Sequence, residues 1–109
     1  MGRYITTTGT AQSVIRYNAG TNYTMLTNDR VICTAGGMTL TLPPTAAALD
    51  GDTVQIIDAT GAFAASNVTI AQNGAANIAN ANTSLTLNIN YCAVTLIYSS
   101  AYGWLLGGH

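Results

Sequence analysis

The stretch from Met38 to Asp58 constrains the fold more than any other part of the chain. Met38-Thr39-Leu40-Thr41-Leu42 alternates apolar and hydroxylated residues, and Pro43-Pro44 stops the run. Period-two alternation puts one side chain set inward and the other outward, which is the pattern of a half-buried strand. Proline cannot donate to a strand ladder, so the pair ends the strand. A short Ala-rich link follows, in which Ala46 to Leu49 has room for one helical turn. Asp50-Gly51 then reads as a turn, and Thr53-Val54-Gln55-Ile56-Ile57-Asp58 resumes the alternation.

The rest of the chain repeats this grammar. Val31 to Thr34 and Met38 to Leu42 flank Ala35-Gly36-Gly37, which predicts a tight hairpin. Asn67 to Ile70, Ser84 to Asn90 and Ala93 to Tyr98 are further alternating runs, and Trp104 to Leu106 closes the series. Ala59 to Ser66 and Ala75 to Thr83 carry Ala, Asn and Gly and read as ordered loops. No 3.6-residue period appears, so long helices are not expected. The reading is an all-β fold, a small antiparallel β-sandwich or jelly-roll-like barrel with an extended N-terminal arm. Residues 1–20 form the arm or a peripheral strand, and residues 21–109 form a single domain. The expected core is Leu40, Leu42, Val54, Ile56, Val68, Ile70, Leu85, Leu87, Ile89, Val94, Leu96 and Trp104.

Charge is scarce. Asp, Glu, Lys and Arg make up 6% of the 109 residues, with no Lys and no Glu; about 25% is usual. Sheet edges are commonly defended by Lys, Pro or bulges against pairing with other chains. With those charges missing, the expectation is that sister subunits or partners cover the edges. Arg3, Arg16 and Arg30 are the only Lys or Arg residues. A basic patch for nucleic acid is absent, and nucleic-acid binding is not expected. No apolar run approaches the length of a membrane helix, so no membrane partner is expected. No apolar leader is visible at the N-terminus, so synthesis in a cytoplasm without export is expected.

Candidate chemistry is thin. Asp50, Asp52 and Asp58 are the clustered carboxylates. They read as a Ca²⁺ or acid/base group, or as turn-formers bracketing a strand, and Asp-Gly turn chemistry favours the turn. The single His is the last residue, His109, and no Lys can serve as a base, so no catalytic or metal constellation assembles and neither enzyme activity nor a cofactor is expected. Cys33 and Cys92 fall in expected strands, as buried thiols or as a disulfide pair. Tyr91, Tyr98, Tyr102 and Trp104 can form a glycan platform, fill the core or line a subunit interface.

The runs Leu40-Thr41-Leu42-Pro43, Asp50 to Asp58, Asn67-Val68-Thr69-Ile70, Leu85-Thr86-Leu87, Ala93 to Tyr98 and Gly103-Trp104 together resemble a β module of tailed-bacteriophage virion proteins. Such modules occur in tail fibres, head fibres and small capsid-decorating proteins. The resemblance spans about Met38 to Leu106. It implies a homotrimeric virion structural protein without enzymatic activity, assembled in the host cytoplasm. Fibre proteins carry long N-terminal shafts, whereas this chain starts at Met1 with a short arm. The expectation is therefore a capsid decoration (cement) protein that binds the major capsid protein or another virion protein. Arm residues Arg3, Tyr4 and Ile5 would reach the neighbour. The alternative is a small tail-fibre or receptor-binding protein that recognises host-surface glycan.

Overall fold

The computed structural model of the chain describes residues 14–74 and 76–108. Its strands are β1 (Val14–Asn18), β2 (Tyr23–Thr24), β3 (Asp29–Cys33), β4 (Thr39–Thr41), β5 (Thr53–Asp58), β6 (Val68–Ala71), β7 (Leu85–Leu87), β8 (Ala93–Ser99) and β9 (Gly103–Gly108). They form a 5-stranded sheet in the order β1-β3-β5-β8-β9 and a 4-stranded sheet in the order β2-β4-β6-β7. The fold is all-β, with no helix among the described residues.

Up to β6 the chain alternates between the sheets: odd strands enter the first, even strands the second. Each returning strand lies parallel to its predecessor, β3 on β1 and β5 on β3 in one sheet, β4 on β2 and β6 on β4 in the other. β1–β2, β3–β4 and β5–β6 are thus successive turns of a flattened coil. From β7 the chain reverses. β7 pairs antiparallel with β6, β8 with β5 and β9 with β8. Two sheets around one core fit the expected small β-sandwich; its antiparallel pairing is corrected, since both sheets mix parallel and antiparallel neighbours. The hairpin expected at Ala35-Gly36-Gly37 is corrected too, since this link carries the chain from β3 in one sheet to β4 in the other.

The corners of the coil explain how it closes. The register aligns Asn18 with Cys33 and Cys33 with Asp58 at one end of the sheet. At this end each turn leaves the first sheet. Gly36 sits where a Cβ would lie 2.1 Å from the backbone oxygen of Ser66. Only glycine lets the corner of the second turn rest flat on that of the third. The Gly37 amide donates to the same Ser66 oxygen at 3.0 Å.

The inner faces interlock as the alternation requires. Val31, Val54, Ile56 and Leu96 face Leu40, Leu42, Val68 and Ile70 in one buried cluster, with Met25, Met38, Phe63, Ile78 and Trp104 filling the ends. Each buried aliphatic side chain contributes about 1.5–3 kcal/mol against chain entropy. Ile89, expected in the core, is 67% exposed, because β7 stops at Leu87 and the chain leaves the sheet. Leu85 is only partly buried. Thr45 to Ala47 makes a turn closed by the Ala47 amide on the Pro44 carbonyl, in place of a helical turn over Ala46 to Leu49.

Candidate functional site

Three buried polar residues hold the coil together. Asp58 ends β5 and accepts the backbone N–H groups of Thr60, Gly61 and Ala62 on one carboxylate oxygen, at 3.3, 2.9 and 3.1 Å. Its other oxygen accepts those of Phe63 and Tyr91, at 3.2 and 2.9 Å. Burial pushes its pKa up, but these donors outweigh burial and hold the carboxyl below its ordinary range. Asn18 does similar work on the first turn, accepting from Gly20 and Thr21 and donating back to the Thr21 carbonyl. Asp29 accepts from the Tyr23 hydroxyl at 2.5 Å, the Leu26 amide at 2.9 Å and Arg16 Nε at 3.4 Å. Burial, and then the bond to Asp29, raise the pKa of the Tyr23 phenol.

The other two aspartates are committed to a turn. Asp52 accepts the Leu49 amide, and Asp50 accepts the amide of Ser100 at 2.6 Å and its hydroxyl at 3.3 Å. The Ser100 donors lower the Asp50 pKa. Asp58 stands at the far end of β5 from this turn, so the clustered carboxylates of the sequence do not converge. Among the described residues no group of His, Cys, Asp or Glu is placed to hold a metal ion. Cys33 and Cys92 are free thiols. Burial, with Asp58 and Cys92 nearby, pushes the Cys33 thiol up to about 12.

The open surface is a sheet edge. Among the described residues β1 has one neighbour, and Val14, Ile15 and Tyr17 are exposed along it, Tyr17 at 75%. The register sets Tyr17 beside Ile32 and Ile57, then Ala93, on the outer face. Further along, Ile97 pairs with Leu105, both part-exposed. Arg30 is the one charged side chain in these rows, beside Ile15. Arg16 is turned to Asp29. Opposite edges β7 and β9 carry no charged residue.

The four C-terminal aromatics do not share one platform. Tyr98 and Trp104 are buried and pair across β8 and β9, with ring centroids 5.1 Å apart and tilted 56°. Trp104 Nε1 is the one buried side-chain polar atom without a partner among the described residues. Tyr91 precedes β8 and Tyr102 follows it; both are exposed and separated by the length of that strand. Tyr91 lines an apolar hollow of about 470 Å³ with Leu87, Ile89 and Cys92. Tyr102 lines a polar groove of about 350 Å³ with Tyr98, Thr45, Asn77, Asn80 and Ser99. The arm residues Arg3, Tyr4 and Ile5 lie outside the described residues.

The sequence reading singled out Asp58 but missed Asn18 and Asp29. Their signal was present: Asn18-Ala19-Gly20 and Asn28-Asp29 are polar pairs or triplets flanking apolar strand residues, where a buried side-chain acceptor closes a turn. Comparison with protein-family models and with curated proteins returned no match. The fold and its surfaces therefore carry the functional reading.

Proposed function

We propose that the chain is a structural protein of a bacteriophage virion, a homotrimer that decorates and stiffens the outer capsid shell. The observation that carries this reading is the β1 edge, a strand with one neighbour among the described residues and with exposed Val14, Ile15 and Tyr17, beside an outer face bearing Ile32, Ile57, Ile97 and Leu105. Unpaired strand edges recruit other chains through main-chain hydrogen bonds, and side-chain pockets then set specificity. A free-living monomer would defend such an edge with charge. Here the surface offers hydroxyls, amides and apolar side chains, which suit dense packing among like subunits.

Mechanically, each subunit would add β1 and its outer face to a neighbour, and repeated contacts across the shell would give avidity. No chemical step is required. The phage assignment rests on the sequence resemblance, and the assembly assignment on the edge geometry. The test is the copy number of the chain in purified particles, measured by quantitative mass spectrometry against the major capsid protein. A number on the scale of the capsid subunits supports shell decoration. A number on the scale of tail fibres moves the chain to a tail appendage and its receptor-binding alternative, and absence from the particle sinks the reading.

A further inference from the structure

We propose that the groove between the 76–80 bend and the β8–β9 turn binds a neutral saccharide of one or two rings. Thr45, Asn77, Asn80, Ser99 and Tyr102 supply its polar wall, and no charged side chain lines it. A phosphate or carboxylate entering it would find no counter-charge, so the wall selects a ligand that is polar yet uncharged. The Asn77 and Asn80 side chains line the groove, and each amide offers two donors and an acceptor. Sugar hydroxyls, which donate and accept together, are the ligand groups that match such amides. Ser99 Oγ accepts from the amides of Ala101 and Tyr102, at 3.2 Å each, which leaves its own proton available to a ligand oxygen. The Tyr102 ring, 68% exposed, offers an apolar face for the C–H side of a pyranose.

The groove is built before any ligand arrives. Trp104 donates its amide to the Asn77 carbonyl at 2.8 Å and accepts the Ala79 amide at 2.8 Å. Ile78 and Ala81 exchange backbone bonds at 2.9 Å. Gly103, at φ +83°, leaves no room for a side chain, since a Cβ there would lie 2.5 Å from the Asn77 oxygen. Ala79 and Asn80 hold left-handed backbone angles of 51° and 63°. Such angles are strained for an Ala and persist only where the surroundings impose them. Asp50 pins the opposite wall through Ser100. Fixed polar groups reduce the ordering cost of binding a small flexible ligand. The volume lies at the small end of ligand sites, which run from about 300 to 1,000 Å³.

The groove shares no lining residue with the β1 edge or with the outer face that carries Ile32, Ile57, Ile97 and Leu105. Failure of sugar binding therefore leaves the shell reading standing, and the reverse also holds. The protein carries a single tryptophan, Trp104, whose ring packs at a tilt against Tyr98 of the groove. Its fluorescence is titrated with glucose, galactose, mannose, N-acetylglucosamine, N-acetylgalactosamine and their disaccharides, with glucuronic acid as the charged comparison. Saturation-transfer NMR on the same mixtures registers binding that leaves the indole unperturbed. The expected result is saturation by at least one neutral sugar at millimolar concentration, with glucuronic acid no tighter. Tyr102→Ala should weaken that binding by about fivefold or more. Asn80→Gly keeps the left-handed backbone while removing the amide, and should weaken it by about fivefold. Both variants should unfold at the wild-type temperature. No saturation by any neutral sugar, tighter binding of glucuronic acid, or saturation unchanged in both variants overturns the proposal.

Discussion

Asn18 and Asp58 occupy equivalent positions on the first and third turns of the coil, aligned through Cys33 on the second. Both are buried, and both close a corner by accepting backbone N–H groups. Their loads differ. Asn18 secures a tight corner that returns at Thr21, and its amide also donates to that residue's carbonyl. Asp58 organises the longer link to β6 and reaches across to Tyr91 in the β7–β8 connection. An ionised carboxylate is all acceptor, so it can gather more N–H groups than an amide can. The surroundings differ too. β5 lies between β3 and β8, whereas among the described residues β1 has a neighbour on one side. The third turn gathers more buried hydrogen bonds; the first turn exposes the edge proposed for assembly.

Substitutions at the two corners should separate these roles. Asp58→Asn places a donor among N–H groups and leaves several unmatched, and should destabilise the fold by at least about 3 kcal/mol, measured by chemical denaturation. An Asn18-sized effect at Asp58 would mean that the third corner is not organised by its carboxylate. The same residue sets acid sensitivity. Its folded pKa lies below the unfolded value. The stabilisation it gives is therefore fully present above about pH 4, the ordinary carboxylate range, and is lost as pH falls through the lower folded value. In Asp58→Asn this part of the acid transition should disappear. A wild-type stability that is flat below pH 4 would contradict the assignment.

Gly36→Ala drives a methyl group into the Ser66 backbone, where nothing flexible can yield. A loss of about 1–3 kcal/mol is expected, and a neutral outcome would show that the second and third corners are not in contact. Asn18→Ala should cost less than Asp58→Asn, about 1–2 kcal/mol, because fewer donors are orphaned. Smallest in stability is Ile15→Lys on the exposed edge, within about 0.5 kcal/mol of wild type by thermal unfolding. Its effect belongs to association.

Strand positions were legible because alternation is a local signal. Thr53–Asp58 was read to the residue, and Leu40, Val54, Ile56, Ile70 and Leu96 are buried as expected. Strand direction was not legible. Gly36-Gly37 looks the same whether a chain folds back into its own sheet or crosses to another, and the deciding contact, Gly36 on Ser66, is distant in sequence. Ile89 misled because alternation continued past the point where Asn88 and Asn90 take the chain off the sheet; Asn90 accepts the Ala64 amide there. Among the aromatics, sequence spacing could not separate Tyr98 and Trp104, which pack together inside, from Tyr91 and Tyr102, which face out at opposite ends of β8. The polar groove was illegible because Thr45, Asn77 and Tyr102 meet only once Gly103 docks on Asn77.

The account turns on whether the β1 edge is an assembly surface. Sedimentation velocity of the wild type and Ile15→Lys, side by side at micromolar concentration, addresses it most directly. A wild-type trimer that Ile15→Lys reduces to a folded monomer is the predicted result. A wild type that sediments as a monomer, or a trimer untouched by the lysine, contradicts it.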